Sequence, residues 1–327
     1  MSKQPGVTFA SLQSMGPAAA PEVARTAAAL GYGSFWTAEV NGPEAFATLA
    51  AAGAAAPTLG LGTGVLALQL RTPMVVAMAG ATLQALHPDN DIVLGIGISS
   101  PVVTQQWHGV TYGERPLAQV REYVALVREI LTGEAVTFDG DFYHCSRFRL
   151  GIRLGGRKPL IVIGALNQGM LRLAGEVADG VLLNYLPASL VPWSVEQVRK
   201  GGDATVYAYV HLAVCERDAG IDSARRDLFS YAVVDAYAKS FERAGFADEV
   251  TEIRERHGAK DRDGALAAVS DRFVDAIDIM GDPGAVRAAF QSYVDAGVDV
   301  PIVMPLPWGR DRMAVTDATL RAAIAAD

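Results

Sequence analysis

The hydrophobic and polar positions of this chain follow two alternating patterns. Short β-branched runs, typical of buried strands, are separated by longer stretches with apolar residues at helical spacing. The runs lie at 7–10, 34–38, 59–65, 92–98, 160–164, 180–183, 206–215 and 300–304. Helices are predicted at 21–30, 43–56, 72–86, 116–131, 169–178 and 285–296. Eight strands alternating with helices predict an α/β fold, a (β/α)8 TIM barrel with a parallel sheet.

Two stretches are longer than a barrel unit needs. Residues 100–159 contain one long predicted helix and, at 136–143, a hairpin signal centred on Asp139-Gly140. Residues 222–297 contain several helices where one would suffice. We interpret both as helical insertions at the C-terminal face of a single barrel domain that spans 1–327. Insertions at that face shape a substrate pocket, or else provide additional packing or a dimer surface.

Charge and composition narrow the range of partners. The 327 residues carry a net charge of −8, whereas a nucleic-acid surface needs clustered Lys and Arg. The apolar runs are too short and too interrupted to span a bilayer. Cys145 and Cys215 are the only cysteines and lack a paired spacing, so neither a disulfide framework nor a metal site is predicted. We therefore expect a cytoplasmic protein with a small-molecule substrate and no nucleic-acid or membrane partner.

Small residues end three predicted strands at the face where barrel active sites form. Alternate glycines at 60–65 let a flat ligand approach, or mark a bulge. Residues 95–100 end in two hydroxyls, and 164–169 lead into a helix whose free N–H groups would face a phosphate, unless this is an ordinary loop. The candidate cofactor-binding residues are Thr63, Gly64, Val65, Gly97, Ser99, Ser100, Gly164, Ala165, Leu166, Asn167, Gln168, Gly169 and, at the end of the strand at 180–183, Asn184.

Glu39 and His108 are the candidate catalytic residues. Glu39 follows the strand at 34–38, where a carboxylate often serves a barrel site, although a solvent-facing charge is the alternative. His108 lies in the first insertion, and histidine as a residue type titrates near neutral pH; a surface role is the alternative. The chain lacks the motifs of zinc hydrolysis, serine hydrolysis and P-loop chemistry, so redox chemistry with a bound cofactor remains.

Several short segments occur in an order that is more specific than any one of them. They are Gly31-Tyr32-Gly33 ahead of Glu39, residues 61–65 followed by Arg71-Thr72-Pro73, residues 94–97, Arg115-Pro116-Leu117, residues 131–134 with 138–143, and residues 178–184. In this order they resemble the luciferase-like flavin and deazaflavin oxidoreductases, particularly the actinobacterial branch that uses coenzyme F420. The resemblance covers nearly the whole chain.

The resemblance implies a deazaflavin across the barrel mouth, its ring backed by a bulge with a cis peptide bond, here Gly64–Val65. It also implies a phosphate on the backbone of residues 165–169, Ser99 and Ser100 near the cofactor's side chain, and Glu39 beside the ring. Family members that oxidise alcohols have a histidine directly after this acid, where this chain has Val40. Some have an acid at the position of Ser100. Both departures weigh against the alcohol-oxidising mechanism.

The expected function is therefore that of an F420-dependent oxidoreductase, a dehydrogenase or reductase that transfers hydride between the deazaflavin and a small organic substrate. An FMN-dependent monooxygenase and a barrel that binds deazaflavin without turnover are the alternatives. The resemblance also implies a homodimer. If Gly64 carries the ring, Gly64→Val is expected to abolish cofactor binding and leave the barrel folded.

Overall fold

The computed structural model describes residues 4–325 and has twelve strands and thirteen α-helices over that range. The strands are β1 (Gly6–Thr8), β2 (Ser34–Thr37), β3 (Gly60–Thr63), β4 (Leu66–Ala67), β5 (Ile92–Gly97), β6 (Val136–Asp139), β7 (His144–Phe148), β8 (Leu160–Gly164), β9 (Gly180–Leu183), β10 (Thr205–Val214), β11 (Asp278–Gly281) and β12 (Val300–Pro305). The helices are α1 (Ala20–Leu30), α2 (Ala45–Ala55), α3 (Pro73–Leu86), α4 (Pro116–Ile130), α5 (Gln168–Val177), α6 (Val191–Arg199), α7 (Arg217–Ala232), α8 (Asp235–Phe241), α9 (Ala247–Gly258), α10 (Arg262–Ala267), α11 (Asp271–Ile277), α12 (Pro283–Asp295) and α13 (Arg312–Ile324).

Eight parallel strands close the predicted barrel in the order β1-β2-β3-β5-β8-β9-β10-β12, and β12 pairs back with β1. The TIM-barrel prediction is confirmed, and all eight predicted strands are present. They were recognisable because strands of a parallel barrel are covered on both faces and read as nearly continuous apolar runs. No helix within residues 4–325 has the length and apolarity needed to cross a membrane.

Side chains alternate between the barrel interior and the surrounding helices. The interior cluster consists of Trp36, Val93, Val162, Leu182, Tyr207, Tyr209, Val300, Ile302 and Met304. A larger cluster lies between the barrel strands and the helices around them. Because the strand period is two residues, the inward positions after Leu182 and Tyr209 are Asn184 and His211. Both residues therefore lie at the C-terminal mouth of the barrel.

The hairpin expected within 136–143 is present, but its turn is longer than predicted. β6 ends at Asp139 and β7 begins at His144, so residues 140–143 form the connection. The Glu122 carboxylate on α4 accepts hydrogen bonds from three N–H groups in this connection, those of Asp141, Phe142 and Tyr143. This tertiary contact favours a wider turn than the two-residue turn that Asp139-Gly140 suggests.

Helices α7–α11 lie between β10 and β11 and form a hydrophobic core of their own. That core includes Tyr185, the second residue after β9, so these helices pack on the C-terminal rim of the barrel. In the stretch 100–159, α4 packs between α3 and α5 in the outer ring. The additions to the barrel unit there are the segment before residue 116 and the hairpin.

Candidate active site at the barrel mouth

A bulge interrupts the pairing of the third barrel strand at its C-terminal end. Gly62 pairs with Val93 and Leu66 pairs with Ile96, so three residues on one strand oppose two on β5. The peptide bond Gly64–Val65 within the bulge is cis, as the resemblance implied. The hydroxyl of Thr63 accepts a hydrogen bond from the Gly95 N–H at 2.8 Å and donates to the Gly95 carbonyl at 2.9 Å. Thr63 thus closes the wall of the barrel rather than facing its mouth.

Gly64 faces the barrel interior, which bears on the expected outcome of its replacement. The hydroxyl of the buried Tyr209 donates to the Gly64 carbonyl at 2.9 Å, and a Cβ at position 64 would lie 1.9 Å from that hydroxyl oxygen. Any side chain there displaces a buried tyrosine. From this geometry we expect Gly64→Val to disturb the barrel itself as well as the cofactor site.

Val65 forms a small apolar shelf at the end of the barrel interior. Its side chain packs against the interior cluster and remains partly exposed. A Cβ at Gly97 would come within 2.9 Å of this side chain, and one at Gly164 within 3.2 Å. The two glycines thus make room for Val65, which gives them a structural reason that the sequence did not reveal.

Glu39 is held in an ion pair at the rim beside β2. Its carboxylate accepts from Arg71 Nε at 3.1 Å and Nη2 at 2.8 Å, and from the N–H of Ala45 at 3.1 Å. Burial raises the pKa of Glu39, but these hydrogen bonds and the Arg71 charge outweigh it and lower the pKa below its usual value. Both oxygens are engaged and the group is ionised, which is a poor arrangement for delivering a proton.

The segment after β5 places the two serines and His108 in different surroundings. Ser100 accepts a hydrogen bond from the Val103 N–H at 3.3 Å and so caps the helical turn Val102–Trp107. Ser99 is partly exposed. The two-residue period of β5 places it among the positions that face the barrel interior. His108 is exposed, and its ring makes no hydrogen bond with the residues the structure describes. The structure therefore does not bring His108 into contact with Glu39.

The predicted phosphate cradle narrows to the first turn of α5. Ala165 N–H donates to the Leu182 carbonyl and is used by the sheet. The Asn167 side chain at the N-cap turns away, donating to the Ala236 carbonyl at 2.9 Å and accepting from Arg243 at 3.3 Å. The N–H groups that begin α5 consequently lack a side-chain cap, and Gln168 and Gly169 there are exposed. Leu166, ahead of the helix, is partly exposed.

A hydrogen-bonded chain ends at Asn184, one of the predicted cofactor-binding residues, and includes two residues that the motifs did not select. His211 Nδ1 lies 2.8 Å from Asp278 Oδ1, and His211 Nε2 lies 2.9 Å from Asn184 Oδ1. His211 is 1% exposed and Asp278 is fully buried. The sequence offered one signal for their proximity. The two-residue period of the strands places Asn184 and His211 at positions that face the barrel interior. Asp278 arrives from β11, which extends the sheet beside the second half of β10.

Tyr185 joins this chain to the added helices. Its ring meets His211 edge to face with centroids 4.4 Å apart, and its hydroxyl donates to Asp227 Oδ2 at 2.7 Å. Burial, followed by the charge of Asp278, raises the pKa of Asp227 to about 6. Tyr231 packs over Tyr185 with ring centroids 3.8 Å apart. The rim is thus closed on this side by aromatic rings.

Sequence comparison finds relatives that are named as a reductase and a dehydrogenase. The chain is 29% identical over 268 residues to a 5,10-methylenetetrahydromethanopterin reductase of Archaeoglobus fulgidus, which covers 78% of this chain and 79% of that protein. It is 36% identical over 145 residues to an F420-dependent glucose-6-phosphate dehydrogenase of Nakamurella multipartita, covering 43% and 42% of the two chains.

The solved structure of the coenzyme F420-dependent tetrahydromethanopterin reductase from Methanopyrus kandleri superposes with a TM-score of 0.83 over 98% of each chain. At 21% identity this likeness establishes the fold. The family model described as luciferase-like monooxygenase matches residues 4–300. That match covers most of the chain, together with every barrel strand up to the start of β12. The chain therefore belongs to the luciferase-like monooxygenase family.

Proposed function

We propose that this protein is an F420-dependent oxidoreductase that transfers hydride between the deazaflavin and a small organic substrate at the barrel mouth. The observation that carries the proposal is the pairing of an apolar shelf, Val65, with an uncapped helix start at α5. A flat apolar ring suits the first, and a phosphate suits the second because helix N-termini attract anions. The names of the relatives favour coenzyme F420 over FMN for a site of this kind.

The residues present fit such a cofactor. Val65 would support the ring, and the N–H groups of residues 168–170 would bind the phosphate. Ser99 and Asn184 are the partly exposed polar side chains on the inward parity of β5 and β9. When bound, the deazaflavin accepts or donates the hydride. The protein's own task is to bind, orient and exclude water, the last of these through the helices α7–α11 that cover the rim.

Glu39 has a positioning role in this proposal. Its carboxylate joins the end of β2 to Arg71, which precedes α3, and to the first N–H of α2. The first of these segments also contacts the bulge that presents Val65, since the Gly64 N–H donates to the Thr37 carbonyl of β2 at 2.7 Å. We therefore propose that Glu39 maintains the conformation of the rim. Any proton needed in the reaction would come from another group near the substrate or from water.

Cofactor titration tests the proposal. The purified protein is titrated with F420 and separately with FMN, and binding is followed by fluorescence quenching. We expect F420 to bind and FMN to bind much more weakly. A preference for FMN would favour a monooxygenase on the same fold. F420 binding without hydride exchange on any substrate would favour a binding protein, and binding of neither would overturn the proposal.

A charge change at α5 makes the titration specific for the phosphate position. Gln168→Glu adds a negative charge at an exposed helix start, which stabilises the helix but repels an anion. We expect F420 affinity to fall by about tenfold with no loss of thermal stability. Ala29→Glu adds the same charge at an exposed position of the outer helix α1 and serves as the control. Equal affinities for the two variants would place the phosphate elsewhere.

We also propose a homodimer through the outer faces of α2 and α3. Neither helix contains a charged residue, and Val75, Met78 and Leu86 on α3 are 45%, 49% and 61% exposed. Three large apolar side chains at helical spacing on a surface without charges are typical of an interface. Met78→Lys is expected to convert a dimer to a monomer in light scattering. Ser230→Lys, on the exposed side of α7, is the control.

A further inference from the structure

We propose that Asn184 is a fixed hydrogen-bond donor in the barrel mouth, locked in that orientation by the buried His211–Asp278 pair. The site therefore selects a bound group that presents an acceptor, such as a carbonyl oxygen or a ring nitrogen with a lone pair. The inference rests on the proposed function for the identity of the ligand. Its structural half, the state of His211, does not depend on any ligand.

The orientation of the Asn184 amide follows from one backbone contact. The Tyr185 N–H lies 2.9 Å from the atom assigned as Asn184 Oδ1. A backbone N–H can only donate, so this atom must be the oxygen rather than the amide nitrogen. His211 Nε2 lies 2.9 Å from the same oxygen, and the contact is a hydrogen bond only if Nε2 carries a proton.

The other ring nitrogen is held by Asp278. His211 Nδ1 lies 2.8 Å from Asp278 Oδ1, and Asp278 is fully buried. Within the described part of the chain, the second oxygen of Asp278 has no hydrogen-bond partner. One proton must lie between Nδ1 and Oδ1, because two facing lone pairs would repel each other in a buried site. The Asp278 contact therefore fixes the imidazole ring with its Nε2–H directed at Asn184.

This arrangement leaves Asn184 with free donors only. The Asn184 oxygen accepts two hydrogen bonds and is saturated. Its amide nitrogen makes no hydrogen bond to residues 4–325, and Asn184 is partly exposed, whereas His211 and Asp278 are covered. A bound group meets two N–H donors and no acceptor. A carbonyl oxygen or lone-pair nitrogen is favoured there, and a group that can only donate, such as an ammonium, is excluded.

A matched pair of variants tests the chain. A glutamine at position 211 places its amide nitrogen near the position of Nε2 and keeps a donor toward Asn184. An asparagine reaches only the Nδ1 position and loses that donor. We expect His211→Asn and Asn184→Ala each to weaken ligand binding by about tenfold, and His211→Gln to stay within about threefold of the wild type. Equal losses for the two His211 variants would overturn the proposal.

Two readouts separate the possible sources of the acceptor. If it belongs to the cofactor, the Kd for F420 rises in fluorescence titrations without substrate. If it belongs to the substrate, the Kd is unchanged and KM rises for a substrate found by screening. Either result supports the donor role. An Asn184→Ala variant with wild-type Kd and KM contradicts it, while leaving the proposed oxidoreductase function intact.

A third variant and a spectrum guard against a folding defect. Asn184→Asp keeps oxygen acceptors for His211 and Tyr185 but has no amide donor, so binding should fall at least as far as in Asn184→Ala. Thermal melting checks that each variant is folded. In the ligand-free protein, ¹⁵N NMR should show a proton on Nε2 of His211. An unprotonated Nε2 would refute the orientation argument even if F420 failed to bind at all.

Discussion

Two pairs, each of a carboxyl group and a basic side chain, stand at the same end of the barrel and differ in almost every other respect. Glu39 and Arg71 have side chains that are 20% and 19% exposed, and the Glu39 carboxylate accepts three hydrogen bonds. Asp278 and His211 are 0% and 1% exposed, and Asp278 has one partner in the described chain. Solvent reaches the first pair, and its carboxylate has several hydrogen-bond donors. The second pair is buried, and its carboxyl group has a single partner.

The contrast teaches that position along a strand does not decide what a polar residue does. Glu39 was predicted to be catalytic because it follows a barrel strand. Arg71 and Ala45 donate hydrogen bonds to its carboxylate, however, and keep it ionised. His211 reads as an ordinary residue in a long strand, yet it orients the Asn184 amide. Solvent is the physical difference, because water compensates an exposed charge and cannot compensate a buried one.

Removing one member of the buried pair should have the largest effect. Asp278→Ala leaves the buried Nδ1 of His211 without its hydrogen-bond partner, and we expect a loss of about 3 kcal/mol in the free energy of unfolding. Urea denaturation followed by circular dichroism measures it. Glu39→Ala is the matched control at the partly exposed pair and should cost clearly less. Similar losses for the two variants would show that burial does not distinguish the two pairs.

The pH dependence of stability tests the same contrast between buried and exposed carboxyl groups at Asp227. Burial and then the Asp278 charge raise its pKa to about 6, above the unfolded value of about 3.9. Because the folded state holds this proton more tightly, the aspartate costs stability as pH rises from about 4 to 6. Asp227→Asn still accepts from the Tyr185 hydroxyl and should stabilise the protein by roughly 2 kcal/mol at pH 7.

The measurement for Asp227→Asn is the unfolding free energy between pH 4 and 8, compared with the wild type. The advantage of the variant should grow up to about pH 6 and then stay level. Below about pH 4 both proteins carry a neutral side chain at this position, so the difference should vanish. A constant difference at all pH values would mean that the charge of Asp227 is not responsible.

Glu39→Gln should have the smallest effect of the three. The glutamine keeps one acceptor for Arg71 but loses the charge, for an expected loss of about 1 kcal/mol at pH 7. Because the folded pKa of Glu39 is lowered, the stability it contributes is present above the unfolded pKa and is lost as pH falls through the folded one. Thermal melting at pH 3 to 7 should show the difference shrinking toward the acid end.

Turnover of the same variant addresses the role of Glu39 in the reaction. If Glu39 only shapes the rim, Glu39→Gln should change F420 affinity and turnover to a similar, small extent. A loss of turnover far greater than the loss of F420 affinity would instead give the carboxylate a part in the reaction itself. Arg71→Met offers a comparison, since it removes the partner and leaves the Glu39 charge in place.

Sequence reasoning reached the barrel because each strand's pattern is local. The run at 160–164 and the run at 180–183 match β8 and β9, whose burial on both faces is visible residue by residue. The hairpin turn was misplaced because Glu122 on α4 holds it, and that contact spans about twenty residues of chain. The glycines at 97 and 164 were noticed, but the side chain they accommodate, Val65, comes from another strand.

The sequence by itself determined the barrel, the order of its strands and the ends of the strands where small residues gather, because periodicity and glycine placement are written locally. Tertiary structure alone decided which polar residues meet. Asn184, His211 and Asp278 lie on or just after three different strands, separated by up to 94 positions in the chain, and only the closed sheet brings His211 within 3 Å of both of the others. Burial, which is a property of the folded whole, then decided what each of them can do.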